Sequence, residues 1–131
     1  MDGESEDCLF LDVFAPSNAT PDSKLPVMFF IEGGGLNTLS NANYNGSQLI
    51  QAADMDMIVV THNYRVGTFG FMSGREVQND GDINAGFLDQ RKALEWVHKH
   101  ISKVCLGVNL LVCRILMVHL ISSEVILVMS F

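Results

Sequence analysis

The stretch that decides the fold is LPVMFFIEGGGL, Leu25 to Leu36. Leu25 to Ile31 is a continuous apolar run, the pattern of a strand buried on both faces. It passes directly into Glu32-Gly33-Gly34-Gly35. Working outward, Leu9 to Phe14 alternates loosely and stops before Pro16, which suits a strand closed by a turn. Tyr44 to Ala53 is a candidate short helix. Met57 to Thr61, MIVVT, is a second β-branched apolar run, followed by a glycine-punctuated loop from Asn63 to Gly74. Ile83, Phe87, Leu94, Val97 and Ile101 recur at helical spacing and predict an amphipathic helix over 84–101, with Asp82 placed to cap it and acids clustered near its start. Strand, glycine loop, strand and long helix follow the order of an α/β sheet with crossover connections.

Composition bounds the rest. The chain has 131 residues, 48% of them apolar, and a net charge of −7. That is enough for one domain with a modest core and excludes a disordered chain. An acidic chain without a Lys/Arg cluster argues against nucleic-acid binding and against an anionic membrane surface. Of the 15 acids, 14 precede Val104, as do 7 of the 8 basic residues. Residues 1–103 are therefore the charged, globular part, and 104–131 form an apolar tail. Cys8, Cys105 and Cys113 make no CxxC pair and read as free thiols. MDGESEDC is acidic and polar, unlike a signal peptide. The sequons at Asn18 and Asn45 matter only for a secreted chain.

Gly33, Gly34 and Gly35, placed after a buried strand, let the backbone approach a ligand with its N–H groups free. Two such donors at fixed spacing stabilise the oxyanion of a tetrahedral acyl intermediate. On the glycines alone the plainer reading is a flexible loop. Neighbouring motifs narrow the choice. Glu6 to Pro16, EDCLFLDVFAP, resembles the N-terminal signature of type-B carboxylesterases and lipases, the cholinesterase-like branch of the α/β-hydrolases. FFIEGGGL resembles that family's oxyanion-hole segment. Asn63-Tyr64-Arg65-Val66 with Gly70-Phe71 resembles its next strand-to-loop motif. Gly81 to Ile101 resembles the helix before its nucleophile strand. The four motifs keep the family's order over residues 6–103.

The resemblance implies a partial α/β-hydrolase fold: the N-terminal part of the central sheet with crossover helices, ending before the nucleophile elbow. It implies ester hydrolysis through an acyl-serine, a small-molecule ester substrate, and neither cofactor nor metal. Gly34 and Gly35 would supply oxyanion-hole N–H groups, with Gly33 in the same loop. Arg65 and Asp89 would join a buried charge or hydrogen-bond network, and Trp96 would belong to the core. His62, His98, His100 and His119 match no catalytic position, and His98 and His100 read as solvent-facing. Glu32 stands where the family usually has histidine, and a carboxylate turned inward would oppose the developing charge. The cysteine matching Cys8 pairs upstream in secreted members, and no upstream cysteine exists here. No GxSxG occurs in the 131 residues, and Gly70-Phe71-Met72-Ser73-Gly74 has the wrong spacing. The nucleophile, the acid and the histidine of the triad are therefore absent, and the chain is expected to be inactive. A non-catalytic, cholinesterase-like binding or adhesion module is the alternative.

Residues 104–131 hold 20 apolar residues among 28, but Asn109, Arg114, His119 and Ser122-Ser123-Glu124 interrupt them, which argues against a membrane helix. A buried strand fits better, one that could cover part of a sheet edge as the strand expected after the long helix. An edge left open would favour self-association. The codons of ISSEVILVMSF permit a sharper reading. Ser122 to Phe131 can be written AGT TCG GAG GTG ATC CTG GTC ATG TCG TTT. Read from the third base, this gives FGGDPGHVV, matching the FGGDPxxV segment the resemblance predicts after His100-Ile101-Ser102-Lys103. Val104 begins with GT, Ser122 can begin with AG, and the 18 codons between plus two bases break the frame. Residues 104–131 then read as a retained intron followed by an out-of-frame exon. Genomic sequencing is expected to show this frame restored and a GxSxG codon run downstream. An uninterrupted frame with no such run would refute the reading.

Overall fold

The computed structural model describes residues 7–40, 42, 44–104 and 113–116. Four strands, β1 (Phe10–Phe14), β2 (Val27–Ile31), β3 (Ile58–His62) and β4 (Cys113–Leu116), form one mixed sheet in the order β2-β3-β1-β4. β2 and β3 are parallel, whereas β1 runs antiparallel to both β3 and β4. The helices are α1 (Ser47–Ala52), α2 (Gly67–Phe71), α3 (Arg75–Asp80) and α4 (Ala85–Val104).

The alternation of side chains along each strand assigns them to two layers. Leu11 and Val13 of β1 and Ile58 and Val60 of β3 meet Ala93 and Val97 of α4, with Val27, Phe29, Trp96 and Ile101 packed around them. On the other face Phe14 and Val59 pack against Ile50 of α1. The sheet is thus covered by α4 on one side and α1 on the other. Trp96 packs against the α4-side core, in line with its expected role.

Four expectations need correction. The apolar run predicts burial of β2 on both faces, yet Met28 is 39% and Ile31 44% exposed. The apolar run is genuine, but the strand lies at the end of the sheet. The loop after β3 contains α2, which interglycine spacing did not reveal, and α3 follows it. The N-terminus of α4 is closed by the Asn84 carbonyl, which accepts from the Phe87 and Leu88 amides. Asp82 is therefore too early to be the cap, and no acid lies in the first turn. The predicted apolar stripe is also rotated: Gly86, Asp89, Gln90, Ala93 and Val97 face inward, while Phe87 is exposed and meets Phe71 edge-on. Gly86 lies against the Arg65 carbonyl, where a Cβ would collide. Close approach at that point sets the rotation of the helix.

The tail strand β4 pairs with β1, at the opposite end of the sheet from β2. The strand expected in the tail is thus present over Cys113–Leu116 and covers the β1 edge. Cys105, His119 and residues 121–131 lie outside the described residues. Cys8 is a free, exposed thiol.

His62 ends β3 fully buried, its ring 4.5 Å from that of Phe29 and 6.0 Å from that of Tyr64. Among the described residues neither ring nitrogen has a partner of hydrogen-bond geometry. Burial lowers its pKa to about 4, opposed weakly by the Phe30 backbone and the Asp89 charge. The unfolded chain binds this proton near pH 6.5, so the folded state loses stability as pH falls from 6.5 to 4. Over that window we expect a loss of roughly 3 kcal/mol from this group alone. Denaturant titrations at pH 4 to 8 should show the slope in the parent chain and a shallower one in His62→Phe. Equal slopes would show that His62 is not the titrating group.

Candidate functional site

Three consecutive polar residues leave the buried end of β3, and each fastens it to a different element. The Asn63 amide donates to the Cys8 carbonyl at 2.7 Å, and its oxygen accepts the Phe10 N–H at 2.6 Å, which ties β3 to the start of β1. The Tyr64 hydroxyl donates to the Glu32 carbonyl at 2.7 Å, fixing the residue where β2 passes into the glycine loop. The Arg65 guanidinium grips Asp89 in a two-pronged pair, Nε to Oδ2 and Nη2 to Oδ1, both at 2.7 Å. The Arg65 backbone N–H adds a third bond to Oδ2 at 3.0 Å. Asp89 is 5% exposed and Arg65 28%. Paired hydrogen bonds to Asp89, then the surrounding charges, raise the Arg65 pKa against the opposing effect of burial. Burial first, and the Glu32 charge second, raise that of Tyr64.

This framework holds the glycine loop. Gly34 has φ 153° and Gly35 φ 62°, conformations that favour glycine. At Gly34 a Cβ would also collide with the Thr38 carbonyl oxygen. The Gly34 carbonyl is claimed by the Asn37 and Thr38 amides at 3.1 and 3.2 Å and by the Thr38 hydroxyl at 3.3 Å. Leu36 has φ 63°, a left-handed conformation that costs a side-chain-bearing residue about 1 kcal/mol. Its carbonyl accepts the Gly67 N–H at 2.7 Å, which binds the loop to α2. Among the described residues no acceptor engages the N–H groups of Gly34 or Gly35. Glu32, flagged as a possible opponent of negative charge, accepts from the Ser40 hydroxyl at 3.2 Å.

Among the predicted residues, Gly33, Gly34 and Gly35 share one exposed loop, and Arg65 and Asp89 form the expected buried network. Of the helix histidines, His98 is exposed, but His100 is half-buried with its ring 5.3 Å from Trp96. Trp96 shelters that side of the helix, which corrects the solvent-facing expectation for His100. The braces Asn63, Tyr64 and Thr38 were not assigned roles from sequence. For Asn63 and Tyr64 the signal is a polar side chain at the mouth of an apolar strand, where buried backbone groups need partners, whereas Thr38 lies in the exposed loop beyond β2. Among the described residues no group of three His, Cys, Asp or Glu could hold a metal ion, and no helix is long and apolar enough to cross a membrane.

The sequence model of the carboxylesterase family matches residues 1–104. Lipase 2 of Geotrichum candidum is 44% identical over 101 residues, covering 75% of this chain and 18% of that protein. Para-nitrobenzyl esterase of Bacillus subtilis (strain 168) is 48% identical over 101 residues, covering 76% and 20%. The crystal structure of Aspergillus niger EstA superposes with a TM-score of 0.73 at 55% identity, covering 83% of this chain and 21% of that one. The chain thus spans about a fifth of the length of the relatives it matches. Its mixed sheet with helices on both faces is part of the α/β-hydrolase fold.

Removing one partner of the Arg65–Asp89 pair strands the other in a site built for it. Asp89→Asn is expected to lower the unfolding free energy by about 3 kcal/mol. Arg65→Lys, which cannot make the two-pronged pair, should lose much of the same. Denaturant unfolding of both variants checks this, and a loss below about 0.5 kcal/mol would place the pair among ordinary surface contacts.

Proposed function

The chain belongs to the carboxylesterase family, and we propose that residues 1–103 are the oxyanion-binding portion of a serine-type carboxylic ester hydrolase. One observation carries this reading. The Gly34 and Gly35 N–H groups lack acceptors among the described residues, in a loop held from both ends by Tyr64 and Gly67. Donors fixed in this way stabilise the oxygen that becomes negative as an ester carbonyl is attacked, and they need no reorganisation at that moment. The substrate class is a small-molecule carboxylic ester, the chemistry that the names of the lipase and para-nitrobenzyl esterase relatives describe.

In this chain the donors have no nucleophile to serve. No GxSxG is encoded within 131 residues, and the match to the family ends at residue 104. Serine, base and acid act as a unit, so an oxyanion hole without them leaves little specific hydrolysis. We therefore assign 104–131 to a non-family tail and expect residues 1–131 by themselves to be inactive.

Two measurements test the reading. The purified chain should neither turn over a short-chain aryl ester nor take up a serine-directed organophosphate, and stoichiometric labelling would overturn the inactivity. Separately, residues 1–103 can replace the matching segment of the Bacillus para-nitrobenzyl esterase. In that chimera Gly34→Ala forces the loop away from Thr38 and should lower kcat by about 100–1,000-fold with little change in KM. A variant that keeps its kcat would remove the oxyanion role from this loop.

A further inference from the structure

The last residue of β3 is an imidazole with no exposed surface, and among the described residues neither of its nitrogens meets a hydrogen-bond partner. A polar group orphaned at full burial is costly when neutral and costlier when charged. The neighbours of His62 offer an imidazolium little in return. From β2 comes the Phe29 ring, 4.5 Å away, and past the strand end the Tyr64 ring, 6.0 Å away. Burial, then the Glu32 charge, raises the Tyr64 pKa, so the phenol stays uncharged through the acid range. The Phe30 backbone and the Asp89 charge on α4 favour the proton. The Asp89 carboxylate, however, is already engaged by the Arg65 guanidinium and backbone N–H.

The same ring neighbours the brace of the glycine loop. His62 is level with Ile31, the last residue of β2. One residue further, the Glu32 carbonyl accepts from the hydroxyl of the buried Tyr64 at 2.7 Å, and Gly33-Gly34-Gly35 follows at once. An imidazole that leaves its site therefore withdraws packing from Phe29 and Tyr64 at the point where the loop departs. We propose that His62 is an acid-sensitive latch: on taking a proton from water its ring moves out to solvent, Tyr64 gives up the Glu32 carbonyl, and the glycine loop is released while the sheet stays folded. A strand end is the place where local opening costs least. Leu11, Val13, Val59 and Val60, all fully buried, keep the sheet closed behind it. Release is a property of the loop's shape, independent of what its N–H groups bind.

A released ring titrates near the ordinary 6.5 and the seated one at about 4, so acid favours release. Between pH 7 and pH 5 the ratio of released to latched loop should rise about twentyfold. Two-dimensional NMR of the 131-residue chain reads it: the amide signals of Gly34, Gly35 and Leu36 should move over that range while those of Leu11 and Val60 stay in place. His62→Phe should abolish the movement. Tyr64→Phe, which lacks the hydroxyl, should give at pH 7 the loop signals that the parent gives in acid. The Glu32 carboxylate is the same in all three chains, so the difference between parent and His62→Phe isolates the imidazole. Circular dichroism confirms that each variant remains folded, with His62→Leu as a second uncharged replacement. Loop signals that follow one pH course with and without His62 overturn the proposal, as does a loop that holds its signals until the strands unfold with it. So does a Tyr64→Phe chain whose loop signals match the parent's at pH 7, which would leave the hydroxyl bond with no hold on the loop.

Discussion

The Arg65–Asp89 pair is the constraint on which the arrangement rests. A buried carboxylate is costly unless its charge and lone pairs are both answered. Here one residue answers them with two guanidinium bonds and a backbone N–H. The geometry fixes the depth and rotation of α4 on the sheet. Small residues follow from it: Gly70 and Gly86 both lie against the Arg65 carbonyl, where a side chain would not fit. With α4 seated, Ala93 and Val97 close the core over β1 and β3. Phe87 is left to meet Phe71 of α2, and α2 holds Leu36 through Gly67. The glycine loop is thus the far end of a chain of contacts that begins in an ion pair.

The strands were legible because apolar runs of the right length are local signals. FLDVF, VMFFI and the run ending at His62 were each placed to within one or two residues. The long helix was equally legible, but its orientation was not. Periodicity finds the apolar stripe of an isolated helix, whereas this helix is positioned by a carboxylate and two small residues. The exposed side of β2 escaped for a related reason. An apolar strand reads the same whether or not a neighbour lies beside it. The direction of β1 and the position of β4 at its side depend on pairings between distant segments, about which neither run carries information.

The glycine loop shows the same division. Three glycines after a strand, read beside the flanking motifs, were enough to nominate Gly34 and Gly35. What holds them was invisible: a tyrosine hydroxyl 32 residues downstream and an amide from the start of a short helix. The Asn63-Tyr64-Arg65 triplet was noticed as a motif, but its logic is spatial. Each side chain leaves the same strand end toward a different neighbour.

Every group that sets this loop lies between Cys8 and Asp89. On a ribosome these residues emerge before anything beyond them, at roughly 5–20 residues per second. The glycine loop can therefore take its shape while synthesis is still under way, with no later segment needed as a template. A polypeptide that diverges after residue 104 would still carry that preformed shape. It would also present an apolar strand edge to the quality-control machinery that watches nascent chains.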